Sequence, residues 1–195
     1  MMLPLVGGMN GKEIERCLPR IIALYTDSGN PDALKVTFTR ITRARPPPLT
    51  KSSLLVALHR IDFESQNMKA KTILDAIAVC LNNKSDYSGE IVKDALRTML
   101  PDDPPPYALM RTAILSAQSF SEVKRFVLSD IIPQLVRRMV WTTAPKLWEG
   151  VVYGSKNLAA SGFKNSEYTL RALLGVPVAQ LKSLLRVAPT VKAAM

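Results

Sequence analysis

Apolar residues recur at steps of three and four along most of this chain, and strand-like alternation is nearly absent. The clearest run consists of Ala70, Ile73, Leu74, Ile77 and Leu81. This spacing places the apolar side chains on one face of a helix. Runs with the same spacing lie within residues 110–117, 123–139 and 181–185. We therefore predict an all-α fold of about ten helices.

Prolines and capping residues mark where these helices begin. Thr50 follows three prolines and is a good N-cap, Ser88 precedes Glu90, and Pro145 suits a first helical position. Helix pairs are predicted to begin near Lys12, Thr50, Ser88, Ser121 and Gly162. A spacing of roughly 35 to 40 residues is typical of HEAT- or armadillo-like repeats. The predicted architecture is therefore a stack of antiparallel helix pairs.

No linker divides the chain, so residues 12–195 are predicted to form a single helical-repeat domain. Residues 1–11, which contain Gly7, Gly8 and Gly11, are predicted to be a loose N-terminal leader. Pro133 falls inside an apolar run, where a proline in a helix interior costs about 3 kcal/mol. We predict a kink or break there, with a new helix starting at the proline.

The chain is basic, with a formal net charge of +10, and the charge is unevenly distributed. No acidic residue lies between Ala33 and Ile61, whereas only Glu149 and Glu167 follow Asp130. Such an excess favours association with polyanions, either nucleic acid or an acidic protein surface. Cys17 and Cys80 lie in apolar helical patterns, which suits buried thiols in a reducing compartment, cytosol or nucleus.

Residues for catalysis are scarce, and no catalytic, cofactor or metal site is predicted. His59 is the only histidine and has no companion ligands or HExxH motif, so a packed helix histidine is the favoured interpretation. The segment from Gly7 to Lys12 lacks the first glycine and the Ser/Thr of a phosphate-binding loop. Asp62 and Glu64 are best interpreted as solvated turn acids. The chain is therefore predicted not to be an enzyme.

Three segments are distinctive: residues 54–62 (LLVALHRID), residues 109–114 (LMRTAI) and residues 141–150 (WTTAPKLWEG). In this order and spacing they resemble the symplekin C-terminal domain, whose pattern carries LLVALHxID, MRTVIQ and VWxxPKLWEG. The resemblance covers nearly the whole chain. It departs from the pattern at Pro133 and in residues 151–156.

The resemblance implies a nuclear scaffold of pre-mRNA cleavage and polyadenylation, built from HEAT-like helix pairs. Its implied partners are the cleavage endonuclease and that enzyme's inactive metallo-β-lactamase paralogue. No catalytic residue or cofactor is implied, and neither is a membrane or a small-molecule substrate. An alternative of a different class is direct RNA binding through the basic stretch from Arg40 to Arg60.

The matched motifs divide into residues expected to pack and residues expected to bind. A structural role is expected for Leu54, Leu55, His59, Asp62, Arg111, Trp141, Pro145, Trp148, Glu149 and Gly150. Because an unpaired buried arginine is costly, Arg111 is expected to bond helix-end carbonyls or an acid. Arg137, Arg138 and Lys146 are the candidates for meeting an acidic partner surface.

Overall fold

The structure is a computed structural model that describes residues 8–27, 30–159 and 167–192. These residues form thirteen α-helices and one π-helical segment, and no strand occurs among them. The first six helices are α1 (Gly11–Asp27), α2 (Pro31–Arg43), α3 (Lys51–His59), α4 (Ala70–Asn82), α5 (Gly89–Met99) and α6 (Leu109–Ser119). The prediction of an all-α fold is confirmed.

The remaining helices begin with one interrupted helical run and include two single-turn helices, α9 and α13. They are α7 (Ser121–Phe126), the π-helical segment (Val127–Ile131), α8 (Ile132–Arg137), α9 (Val140–Thr143), α10 (Pro145–Ala159), α11 (Glu167–Leu174), α12 (Val178–Val187) and α13 (Pro189–Lys192). The helices pack in contacting pairs, which is consistent with a helical repeat.

The chain divides into two compact units, unit 1 (Met1–Ala95) and unit 2 (Leu96–Met195). In unit 1, α1 and α2 pack on each other and on α4, and α3 also packs on α4. In unit 2, α6 packs on α7 and α10, whereas α11 packs on α8 and the π-helical segment. A single domain over residues 12–195 stays a prediction.

Side-chain caps fix the first turns of α1, α2 and α3 in unit 1. The Asn10 carboxamide oxygen accepts from the Glu13 amide at 3.1 Å, and the Glu13 carboxylate accepts from the Asn10 amide at 2.8 Å. Such a reciprocal pair satisfies two amides that a helix start leaves without partners. The side chains of Asn30 and Thr50 likewise accept from amides in the first turns of α2 and α3, at 3.0 and 3.1 Å.

Most predicted helix starts agree with the structure. α3 follows Thr50, α5 has Glu90 in its first turn, α7 begins at Ser121 and α10 begins at Pro145. α1 begins at Gly11, beside the predicted Lys12. The predicted start at Gly162 lies outside the described residues, as do residues 1–7 of the predicted leader.

The expected disturbance at Pro133 takes the form of a π-helical segment directly before the proline. The Ile132 amide donates to the carbonyl of Val127, five residues earlier. In that register the residue at position 133 would donate a hydrogen bond to the Leu128 carbonyl, but proline has no amide hydrogen. The buried Thr169 hydroxyl of α11 donates to the Leu128 carbonyl instead. A helical defect that proline imposes is thus repaired by a hydrogen bond that ties α11 to this run.

Candidate partner-binding surface

The tryptophan block, residues 141–150, forms α9 and the first turns of α10 in unit 2. Pro145 opens α10 as an exposed residue, while Trp148 points inward and is buried. The half-buried Trp141 meets Trp148 edge to face, with ring centroids 5.5 Å apart. This is a favourable aromatic geometry that adds to the energy of burial. The two tryptophans therefore hold α9 against α10.

Gly150, the last residue of the block, lets α10 approach α6 closely. A Cβ atom built on Gly150 would lie 2.7 Å from the Cβ atom of Met110. A Cβ atom built on Gly154, one turn further, would lie 3.0 to 3.3 Å from side-chain atoms of Met110 and Ile114. Glycines four residues apart give one flat helix face, on which a neighbouring helix can pack. Glu149, in contrast, points outward and is exposed.

Arg138 makes its bonds within unit 2. Its guanidinium donates to the Leu100 carbonyl at 2.5 Å and to the Asp102 carbonyl at 2.7 Å. The same group contacts the Asp103 carboxylate at 3.2 Å. A planar guanidinium can satisfy several acceptors at once, which suits the carbonyls that a helix end leaves free. Arg138 therefore fixes the turn after α5.

Arg137 lies beside Arg138 in sequence but faces a different environment. It is exposed and makes no hydrogen bond or ion pair with other residues that the structure describes. It lines an open groove of about 550 Å³ between α8, α9 and α11. The other lining residues are mostly apolar or small: Val136, Met139, Trp141, Tyr168, Arg171, Ala172, Gly175 and Pro177. We call this the α8–α11 groove.

Met139, between α8 and α9, has a left-handed backbone at φ 50° and ψ 43°. Residues with a Cβ atom adopt this conformation at a cost, and such strain is concentrated at functional sites. The Met139 side chain is 56% exposed. The turn thus holds a large apolar side chain out of the core, at the edge of the groove.

Lys146 and Arg111 both lie on the exposed side of their helices. The Lys146 ammonium lies 5.8 Å from the centroid of the Tyr107 ring, a geometry that allows a cation–π contact. Arg111 is exposed on α6, next to buried Met110 and Thr112. The bond to helix-end carbonyls or an acid that we expected for Arg111 is not among those of the described residues. Arg138 makes such bonds instead.

The first motif, residues 54–62, contributes to the core of unit 1 and to the turn that follows. Leu54 and Leu55 are fully buried in α3. His59 is also buried, with Nδ1 2.7 Å from the Leu55 carbonyl oxygen. Burial lowers the pKa of His59 to about 4, although the bond to Leu55 opposes the shift. This histidine is therefore neutral near pH 7.

Asp62 is exposed and organises the turn after α3. Its carboxylate accepts from the amides of Glu64 at 3.1 Å and Ser65 at 3.2 Å. The hydrogen bond from the Ser65 amide is the main cause that lowers the pKa of Asp62. Side chains of aspartate commonly close turns in this way. The structure thus places Asp62 in a turn, as expected from the sequence.

Part of the basic stretch in unit 1 is neutralised by an acid from outside that stretch. Arg43 and Lys51 each donate to the buried Asp86 carboxylate at 2.7 Å, and Asn83 donates at 2.9 Å. The bond from Arg43, followed by that from Lys51, lowers the pKa of Asp86 to about 2. The single carboxylate offsets one of these two positive charges, and the Arg43 side chain stays 61% exposed.

Sequence reasoning missed the groove because its residues come from separate helices. Tyr168 and Arg171 were not singled out, although their spacing of three places them on one face of α11. Met139 gave no signal, since nothing in its neighbours demands a left-handed turn. The described residues contain no cluster of His, Cys, Asp and Glu able to hold a metal. None of the described helices has the length and hydropathy to cross a bilayer.

Comparison with known families matches nearly the entire chain. A family model described as "Symplekin tight junction protein C terminal" matches residues 1–187 of the 195. The match includes the three motifs on which the resemblance was based, and that resemblance is confirmed. No solved structure matches the chain.

Proposed function

Since this chain belongs to the symplekin C-terminal family, we propose that it joins the pre-mRNA cleavage endonuclease to that enzyme's inactive metallo-β-lactamase paralogue. Membership of the family indicates a scaffold role in mRNA 3′-end processing. Scaffolds of this type are generally non-catalytic. In the proposed role the chain supplies binding surface and no reacting group, and it acts in the nucleus.

The observation that carries the proposal is the extent of the family match, residues 1–187. A match of this length includes every described helix of both units except α13. Stacked helix pairs also suit the role, because helical repeats present long surfaces on which partners can bind.

Within unit 2, the three candidate cations differ in their availability to a partner. Arg137 and Lys146 are exposed. Arg138 already bonds two carbonyls and a carboxylate of its own unit. We propose that Arg137 and Lys146 contact acidic residues of the nuclease pair. We propose that Arg138 instead stabilises the fold beneath this surface, through its bonds to the Leu100 and Asp102 carbonyls. Exposed charges of this kind steer association and set specificity.

The test is co-purification of the full chain with the C-terminal regions of the endonuclease and its paralogue, after nuclease treatment. The wild-type chain is expected to hold both partners. The double reversal Arg137→Glu with Lys146→Glu should weaken that binding. A matched reversal at Lys156 and Lys182, two exposed lysines outside the groove, should leave it intact. If the wild-type chain purifies alone, the proposed function is wrong.

The same experiment separates this proposal from direct RNA binding through residues 40–60. Binding dominated by phosphate contacts weakens linearly in the logarithm of salt concentration. A packed protein interface is expected to weaken only modestly over the same range. Binding to RNA alone, with a steep salt slope and no nuclease complex, would favour the alternative. Against the alternative, Asp86 offsets one positive charge of this stretch through its contacts with Arg43 and Lys51.

A further inference from the structure

We propose that the α8–α11 groove binds a short acidic segment of a protein partner, which inserts an apolar side chain beside Met139, Trp141 and Tyr168. This deepens the proposed function and rests on it, because it assigns the surface and the chemistry of a scaffold contact. The groove, at about 550 Å³, lies within the range of about 300 to 1,000 Å³ that is typical of ligand pockets.

The lining of the groove favours one anchored apolar side chain. Met139 and Tyr168 both line the groove and are 56% and 68% exposed. Trp141 of α9 also lines the groove and is half-buried. Aromatic residues and methionine are enriched where proteins bind one another, since they offer a large apolar area. Ala172 and Gly175 add little bulk, which leaves room for an incoming residue.

The charge around the groove favours an acidic occupant. After Asp130 the sequence holds nine lysines and arginines and only two acids, Glu149 and Glu167. Arg137 and Arg171 both line the groove. Arg171 contacts Glu167 one turn away on the same helix, and both side chains are largely exposed. An exposed pair of this kind is worth little, so an incoming carboxylate can replace Glu167 at small cost.

The strained turn at Met139 is a second and independent observation. A glycine would adopt φ 50° without strain, yet this position carries a large side chain that is mostly outside the core. Burial in unit 2 does not explain this choice of residue. Contact with a bound segment does explain it, because Met139 lines the groove.

A peptide fits this groove better than a nucleic acid does. Nucleic-acid channels follow the phosphate backbone with a series of cations. Among the residues that the structure describes, two arginines line the groove, one of them paired, and the remaining lining is mostly apolar. A short segment with carboxylates beside one bulky side chain can contact both the arginines and the apolar lining of the groove.

The first test is a selection of random displayed peptides of about 12 residues on the full wild-type chain. Counter-selection uses the double variant Met139→Gly with Arg137→Glu. We expect enriched peptides to carry at least two acids next to an aromatic or long aliphatic residue. Enrichment of neutral or basic peptides, or no enrichment at all, would overturn the proposal. So would binding of a labelled oligouridine that Arg137→Glu abolishes, which would indicate a nucleic-acid site.

The second test measures the affinity of one enriched peptide by fluorescence anisotropy. Arg137→Glu should weaken binding at least about tenfold, whereas Lys156→Glu should not. Met139→Gly should also weaken it while Tm stays equal or rises, because glycine relieves the strained turn. Equal affinity of these three variants would contradict the proposal. Neither test contains the nuclease or its paralogue, so failure here is distinguishable from failure to form the nuclease complex.

Discussion

The two units use their polar and charged groups in different ways. In unit 1 two ionisable side chains are buried, His59 in α3 and Asp86, and Lys51 and the largely exposed Arg43 both contact Asp86. Unit 2 leaves much of its charge outside, with Arg137 on an open groove. Its α6–α10 interface is instead built from apolar packing across the glycines of α10.

This difference shows that a cationic stretch in a sequence is not yet a binding surface. Residues 33–61 hold no acid, and they suggest a polyanion site when they are considered alone. Asp86, 35 residues after Lys51, changes that interpretation because the fold brings it to both cations. In unit 2 no described acid pairs with Arg137, so its charge stays available. Three predictions test this contrast.

The largest expected effect concerns the buried histidine of unit 1. The folded state holds the pKa of His59 near 4, below its ordinary value of 6.5. Between these values the unfolded state binds the proton more readily, so stability falls as pH falls. The free energy of unfolding should therefore be highest above pH 6.5 and should fall by about 3 kcal/mol by about pH 4. Urea denaturation followed by circular dichroism over this range measures it.

His59→Gln is the control for this titration, since glutamine can donate a hydrogen bond but does not titrate. Because His59 is the only histidine, no other histidine affects this pH window. The variant should show little change in unfolding free energy between pH 6.5 and 4.5. The same acid sensitivity in both proteins would show that the protonation of His59 does not cause the loss of stability.

The next effect compares two neighbouring arginines of unit 2. Arg138→Ala should cost about 2 kcal/mol, because it removes hydrogen bonds to the Leu100 and Asp102 carbonyls. Arg137→Ala should change stability by less than about 0.5 kcal/mol. Thermal unfolding of both variants measures this difference. Equal losses would contradict the view that one arginine supports the fold and the other is free to bind.

The smallest effect tests the close packing of α6 and α10. Gly150→Ala places a Cβ atom 2.7 Å from the Cβ atom of Met110, and overpacking of this kind costs about 1 to 3 kcal/mol. Better helix propensity returns up to about 1 kcal/mol, so a net loss of about 1 kcal/mol is expected. Gly8→Ala, with no atom within 4 Å, is the control. A gain of stability at Gly150 would mean that the two helices do not pack closely.

Much of the fold could be predicted from sequence, because helix periodicity and caps are local signals. Thr50, Glu90 and Pro145 marked helix starts that the structure contains. The π-helical segment before Pro133 was less predictable. A proline in the sequence predicts a missing helical hydrogen bond. It does not predict that the Thr169 hydroxyl of another helix donates to the Leu128 carbonyl in its place.

The candidate site was predictable only in part. The sequence identified Arg137, Arg138 and Lys146 as cations in a family-specific region. It could not show which of them are bonded within the fold and which are available to a partner. This distinction depends on acceptors about 36 residues away, such as the Asp102 carbonyl. The Arg111 expectation followed from an apolar helix pattern, yet the structure leaves that side chain exposed. Tertiary packing, which single-sequence patterns do not contain, decided both cases.

The most direct test of the scaffold role is the molar mass of the assembled complex. The full chain is mixed with the C-terminal regions of the endonuclease and its paralogue, treated with nuclease, and analysed by size exclusion with light scattering at low and high salt. Our account predicts one species with the summed mass of all three proteins, which persists at high salt. If this chain elutes alone while the other two associate without it, the scaffold role is contradicted.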